Sequence, residues 1–246
     1  MKQLTGKVAL VTGGSRGIGA AIARRLAHDG ATVAFTYVNA TENARTVAKE
    51  IEAAGSQVLA IQADSADPPA VIAAVEDTVA KFGRIDILVN NAGIMIAAPL
   101  EELTAKQTDH MWAVNVRAVF VASQAVARHM SAGGRIITIG STMPGRVFGP
   151  GFTLYAMCKA ALTGLTNGLA RDLGPRGINV VMVTAGLIDT DMNPADGPGA
   201  DSLTSLTALG RYGTPGDVAQ AVSFLAGDGG SYVTGTAFTV DGGLTS

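Results

Sequence analysis

Tyr155 and Lys159 stand four residues apart in LYAMCKAALTGL (Leu154–Leu165), a stretch otherwise built of small and apolar side chains. On a helix, positions i and i+4 share a face, so the phenol and the ammonium are neighbours by geometry. A free phenol has a pKa of about 10, too high for ready proton exchange near neutrality. A positive neighbour favours the phenolate and lowers that value. Tyr155 is then a usable general acid or base, and Lys159 its electrostatic tuner. Taken alone, the pair also fits a packed tyrosine ring beside a lysine that snorkels to solvent.

Two polar residues stand out nearby. Ser141 closes the apolar run GRIITIGS (Gly134–Ser141), where its hydroxyl can donate to an oxygen that gains charge. Asn115 interrupts MWAVNVRAVFVASQAV, and asparagine is a poor helix former there. It either bonds a helix carbonyl or has a polar task.

VTGGSRGIG (Val11–Gly19) joins an apolar run to an amphipathic one. Glycines let the backbone turn tightly and let a pyrophosphate approach a helix N-terminus, where free N–H groups favour anions. The spacing Gly13-x3-Gly17-x-Gly19 differs from the common GxGxxG fingerprint and has no Walker-type ending.

These residues need elements to hold them. Strands are predicted at Lys7–Gly13, Thr32–Val38, Gln57–Asp64, Ile85–Gly93, Gly134–Ser141, Ile178–Gly186 and Ala237–Gly243. Helices are predicted at Gly17–Gly30, Glu42–Gly55, Pro69–Gly83, Thr104–Met130, Tyr155–Leu173 and Pro215–Ala226. Continuous apolar strands alternating with helices imply a parallel sheet covered on both faces. The fold class is therefore α/β: a single Rossmann-type doubly wound domain spanning 1–246, with about seven parallel strands. LIDTDMNPADGPGADS (Leu187–Ser202) breaks the pattern and, within 187–210, reads as a substrate loop or lid.

The formal net charge is −2 and no basic run occurs, which argues against nucleic acid and an anionic membrane surface. No secretory signal or membrane-spanning stretch is read, so a cytoplasmic, soluble protein is the default. The single cysteine, Cys158, excludes an intrachain disulfide and a cysteine-based zinc site. It reads as a small packing residue. His28, His110 and His129 show no metal spacing and read as surface or packing residues, so no metal is expected. Trp112 is expected in the core or at a subunit interface.

Thr12-Gly13-x3-Gly17-x-Gly19, Asn90-Asn91-Ala92-Gly93, Ser141 and Tyr155-x3-Lys159, in this order, resemble the motif set of the short-chain dehydrogenase/reductase family. The similarity covers nearly the whole chain and is greatest to members like the 3-oxoacyl-[acyl-carrier-protein] reductases. The resemblance implies a tetrad of Asn115, Ser141, Tyr155 and Lys159, with Ser141 polarising a carbonyl, Lys159 on the nicotinamide ribose and Asn115 holding a relay water. It implies nicotinamide-cofactor contacts from Thr12, Gly13, Ser15, Arg16, Gly17, Ile18 and Gly19. Further contacts fall to Tyr37, Asn39, Asp64, Ser65, Asn91, Ala92, Gly93, Tyr155, Lys159, Gly186, Ile188 and Thr190. The family's usual Pro-Gly reads Ala185-Gly186 here, which would loosen the start of the lid.

An NAD site normally carries an acid near the end of the second strand, for the ribose 2′-OH. No carboxylate occurs between Ala31 and Ala40, and Tyr37 stands 18 residues past Gly19. Arg16 can pair with a 2′-phosphate, helped by Tyr37 and Asn39. NADP(H) is therefore expected over NAD(H). Met143, Phe148, Phe152 and Met192 flank the expected site and can line a substrate pocket. The expectation is hydride transfer between the cofactor and a ketone or secondary alcohol, in a homotetramer. IDTDMNPADGP also resembles reductase-like proteins proposed to bind a cyclic dinucleotide in biofilm control, which is the alternative reading.

Overall fold

Seven short apolar runs become seven parallel strands: β1 (Val8–Val11), β2 (Thr32–Tyr37), β3 (Val58–Gln62), β4 (Ile87–Asn90), β5 (Arg135–Ser141), β6 (Asn179–Ala185) and β7 (Thr236–Val240). They lie in one sheet ordered β3-β2-β1-β4-β5-β6-β7 in the computed structural model, which describes residues 2–246. The connecting helices are α1 (Gly17–His28), α2 (Thr41–Ala53), α3 (Pro68–Phe82), α4 (Ala105–Trp112), α5 (Ala118–Ala127), α6 (Thr153–Leu173), α7 (Ala200–Thr204) and α8 (Pro215–Ala226).

Successive residues of a strand face opposite sides, so an all-apolar strand needs cover on both. Val33 and Phe35 of β2 join one core with Ile22 of α1, Val47 of α2 and Leu225 of α8. Ala34, between them, joins the other with Val75 of α3, Ala122 of α5 and Leu173 of α6. The result is a single three-layer domain. Local signals fix several helix ends. Thr104 with Gln107 and Thr214 with Asp217 form capping boxes, and α3 stops at a left-handed Gly83.

Four details depart from the sequence reading. The helix predicted at Thr104–Met130 is divided: α4 gives way to a π-helical turn at Ala113–Arg117 before α5. One extra residue in that turn re-aims the side chains around Asn115. Helix α6 starts at Thr153, ahead of the predicted Tyr155. The predicted loop contains the short α7. The start of that loop is not loosened at Ala185 either. Thr142 N donates to Ala185 O at 3.1 Å, and Gly186 N donates to Val240 O at 3.0 Å.

Strands β1 and β4 are neighbours, yet their outgoing connections lead to opposite sides of the sheet. A crevice opens between them at the carboxyl ends of the strands.

A polar clamp at the far side of the sheet ties α1 to α8 and to the N-terminal segment. Ser223 Oγ donates to Asp29 Oδ2 at 2.5 Å, Arg25 Nε donates to the same oxygen at 2.8 Å, and Gln3 Nε2 donates to Ser223 Oγ at 2.8 Å. Burial pushes the Asp29 carboxyl up, but bonds from Ser223, Arg25 and His28 outweigh it and hold the pKa below the ordinary 3.8. The carboxylate therefore contributes stability above that ordinary value, and the contribution is lost as pH falls through the lowered one. Asp29→Asn is expected to cost about 1–2 kcal/mol in urea unfolding at neutral pH. The difference from the parent should shrink as the pH falls from the ordinary 3.8 through the lowered pKa. A difference that stays constant across that range would contradict the clamp.

Candidate active site

The glycine loop is shaped by contacts a side chain would destroy. Gly17 adopts φ +51°, in the left-handed region. A Cβ on Gly19 would sit 2.1 Å from the Gly13 carbonyl oxygen and 2.4 Å from Asn91 Nδ2. Asn91 Nδ2 donates to Thr12 O at 2.9 Å and to Gly13 O at 3.0 Å. Thr12 Oγ1 accepts from Asn91 N and Ala92 N, each at 3.0 Å. Thr36 Oγ1 accepts from Gly13 N at 3.1 Å. The loop after β1 is thus knitted to the loop after β4 and to the end of β2. No side chain caps the first turn of α1, so its N–H groups await an anion. This cradle fits the pyrophosphate of a dinucleotide.

The loop opens on a cleft of about 930 Å³. Every cofactor, catalytic and pocket residue predicted from sequence lines that cleft except Thr12, whose hydroxyl is turned onto the Asn91 and Ala92 N–H groups. Asp64 spends one carboxylate oxygen on Ala66 N at 2.8 Å. Phe148 lines the cleft and also packs on Leu187, Ala200, Tyr212 and Leu244, joining the loop after β5 to the lid. Arg16 meets Asp191 of the lid at 3.4 Å.

The four polar residues of the predicted tetrad come together from three elements. Lys159 is buried, and its Nζ donates to Ile139 O of β5 at 3.0 Å. It lies 5.7 Å from the centroid of the Tyr155 ring. Tyr155 and Ser141 both line the cleft, and Ser141 Oγ accepts from Met143 N at 3.1 Å. Asn115, on the π-helical turn, bonds neither of them directly. Its Oδ1 accepts from Ile94 N at 3.1 Å and its Nδ2 donates to Ile94 O at 3.0 Å, so it fixes the chain leaving β4 instead of satisfying a helix carbonyl. A Cβ on Gly93 would come within 2.9 Å of Asn115 Oδ1 and 3.7 Å of Lys159 Nζ. Glycine there keeps open the space between the two.

The electrostatics correct the sequence reading. The ammonium was expected to lower the Tyr155 pKa. Burial instead raises it, and the Ser141 hydroxyl offsets only part of that rise. Burial likewise brings Lys159 down to about 8. Desolvation is the largest cause of both shifts. The Cys158 thiol, fully buried one residue before Lys159, is also pushed up by burial.

Several lining residues were not anticipated. His110 and Val114 stand one helical turn apart and both reach the cleft, as do Met95, Asp191 and Asn193. The i, i+4 spacing of His110 and Val114 was a usable signal. Trp112, expected in the core or at an interface, is 43% exposed and so lies outside the core of this chain.

Comparison with known proteins sets these features in a family. The family model described as enoyl-(acyl carrier protein) reductase matches residues 13–245. A cyclic-di-GMP-binding biofilm dispersal mediator protein of Escherichia coli K12 is 48% identical, the match covering 98% of each chain. Elsinochrome reductase 1 of Elsinoe fawcettii is 38% identical over 98% of this chain and 95% of its own. The crystal structure of a short-chain dehydrogenase from Burkholderia cenocepacia J2315 in complex with NADP superposes with a TM-score of 0.98. It is 56% identical and covers 99% of this chain and 100% of its own.

The buried lysine carries a stability consequence. Its folded pKa of about 8 lies below the ordinary 10.5. Unfolding takes up a proton between those values, so stability rises with pH across that window, and the full penalty is present below it. Lys159→Met is therefore expected to raise unfolding stability by roughly 2 kcal/mol at pH 7. The gain should fade as pH approaches 10.5. A variant less stable than its parent at pH 7 would contradict the penalty.

Proposed function

The chain belongs to the short-chain dehydrogenase/reductase family, and on that premise we propose that it reduces a ketone, or in reverse oxidises a secondary alcohol, with NADP(H). The class of NADP-dependent oxidoreductase follows from the family together with the NADP-bound relative. The observation that carries the finer reading is that Ser141 and Tyr155 share the cleft wall, with Lys159 buried on the same helix and bonded to Ile139 O.

Ketone reduction needs a hydride at carbon and a proton at oxygen; a bound nicotinamide supplies the first, since no side chain can. The second falls to Tyr155, whose raised pKa keeps it protonated and ready to donate. Ser141 donates to the carbonyl oxygen as charge develops there. Lys159 steadies the phenolate left behind and holds the nicotinamide ribose. Lys159 then passes a proton back to the phenolate, and a water held by Asn115 in the space that Gly93 leaves open would return one to Lys159 from solvent. Gly13–Gly19 would hold the pyrophosphate, Asp64 and Ser65 the adenine end, and Arg16, Tyr37 and Asn39 the 2′-phosphate. Met143, Phe148, Phe152 and Met192 offer an apolar wall to the ketone.

The same reading includes a homotetramer. Trp112, Phe120 and Met157 expose apolar surface along α4–α6, and Phe224 and Phe238, with rings 6.1 Å apart, do so on α8 and β7. Two distinct faces are what a tetramer of twofold-related pairs requires. Combining Phe224→Asp with Phe238→Asp should yield dimers by light scattering; an unchanged tetramer would remove that face from the assembly. Cyclic dinucleotide binding remains an activity of the biofilm dispersal relative, and no feature of this cleft favours it over turnover.

NADPH absorbance followed with a panel of ketones and β-ketoesters tests the proposal. Turnover is expected on at least one of them. Tyr155→Phe should lower kcat by about 10²–10⁴-fold while NADPH still binds. Undiminished turnover in that variant would overturn the role of Tyr155. Tight cyclic dinucleotide binding with no turnover on any ketone would overturn the enzyme reading.

A further inference from the structure

Arg16 and Asp191 meet across the mouth of the cleft. The guanidinium Nη1 lies 3.4 Å from Asp191 Oδ2, joining the glycine loop to the lid over 175 residues of sequence. A second contact is independent of that pair. A Cβ on Gly17 would fall 3.5 Å from Thr190 Cγ2, so the residue before Asp191 packs against the residue after Arg16. The lid turn that presents Asp191 is anchored. Ile188 bridges to Gly213, and Asn193 N donates to Thr190 O at 2.9 Å. Among the described residues, Asp191 has no cationic partner besides Arg16.

We propose that Asp191 is a specificity-determining residue for the cofactor: it holds the Arg16 guanidinium until a 2′-phosphate displaces it. The inference rests on the assignment of NADP(H), and of Arg16 to its 2′-phosphate, made above. One guanidinium cannot pair fully with two anions on different sides of the cleft. An exposed carboxylate–guanidinium pair is weak, whereas a phosphate accepts two parallel bonds from the same fork. The exchange therefore runs toward the phosphate, but the carboxylate still competes and lowers the apparent affinity. A dinucleotide without the 2′-phosphate leaves Arg16 on Asp191 and bypasses the competition. Asp191 thus narrows the preference for the phosphorylated cofactor.

The test is a double-mutant cycle read as Kd for NADPH and for NADH, by nucleotide fluorescence, in the parent, Asp191→Asn, Arg16→Ala and the combined variant. Asp191→Asn is expected to tighten NADPH by about two- to fivefold and to leave NADH unchanged. In the Arg16→Ala background the same substitution should do nothing. The NADH values also report whether each variant is folded. An equal gain with and without Arg16 would mean plain charge repulsion and would overturn the inference. So would an equal gain for NADH, or a weaker grip on NADPH, which would mean that the pair persists in the complex. Arg16→Ala that weakens NADPH beside a silent Asp191→Asn overturns this inference alone. Arg16→Ala that leaves NADPH unchanged overturns the 2′-phosphate assignment beneath it.

Discussion

A lysine ammonium shut away from water, held by the carbonyl of Ile139 at 3.0 Å, is the constraint around which the cleft is arranged. Burial alone disfavours that charge, and the depressed pKa records it. Only a rigid surround keeps the group in place. Strand β5 contributes both the accepting carbonyl and, two residues on, Ser141. Helix α6 contributes Lys159 and, one turn earlier, Tyr155. The π-helical turn brings Asn115 to the chain leaving β4, and Gly93 leaves the gap between them. Each element meets the others at the carboxyl end of the sheet, where a parallel strand order opens its crevice.

The glycine loop obeys the same logic of close approach. Asn91 reaches into it with two hydrogen bonds, and Thr12 answers with two from beneath. The anion cradle and the proton site are therefore joined through one stretch, Asn91–Gly93, that touches both. A shift at one end is carried to the other through that short stretch and the Asn91 and Thr12 hydrogen bonds that pin it. That rigidity suits a reaction in which cofactor and proton donor must meet one carbon–oxygen bond from fixed directions.

Much of this was legible in the residues. Apolar runs at β1, β2 and β4 carry the two-sided pattern of buried parallel strands, and Tyr155-x3-Lys159 declares its shared face through helical spacing alone. What escaped depended on the third dimension. The π-helical turn at Ala113–Arg117 hides inside an unbroken helical pattern, because one inserted residue leaves the apolar composition unchanged. The direction of the Tyr155 shift was misread because spacing reveals the neighbouring charge but not the burial that outweighs it. Asp191 sits far along the chain from Arg16, and no local rule pairs them. Thr12 matches the family motif yet serves the loop's geometry from below.

The central claim is electrostatic: the ligand-free cleft keeps Tyr155 protonated, and positive charge at the nicotinamide end then draws its pKa down. Titration of the Tyr155 ring by NMR, with ring-labelled tyrosine and the signal assigned by its loss in Tyr155→Phe, measures this directly. The account predicts a pKa above the ordinary 10.0 in the free protein and a fall once NADP⁺ is added. A phenol already ionised near neutrality without cofactor, or one that NADP⁺ leaves unmoved, would contradict it.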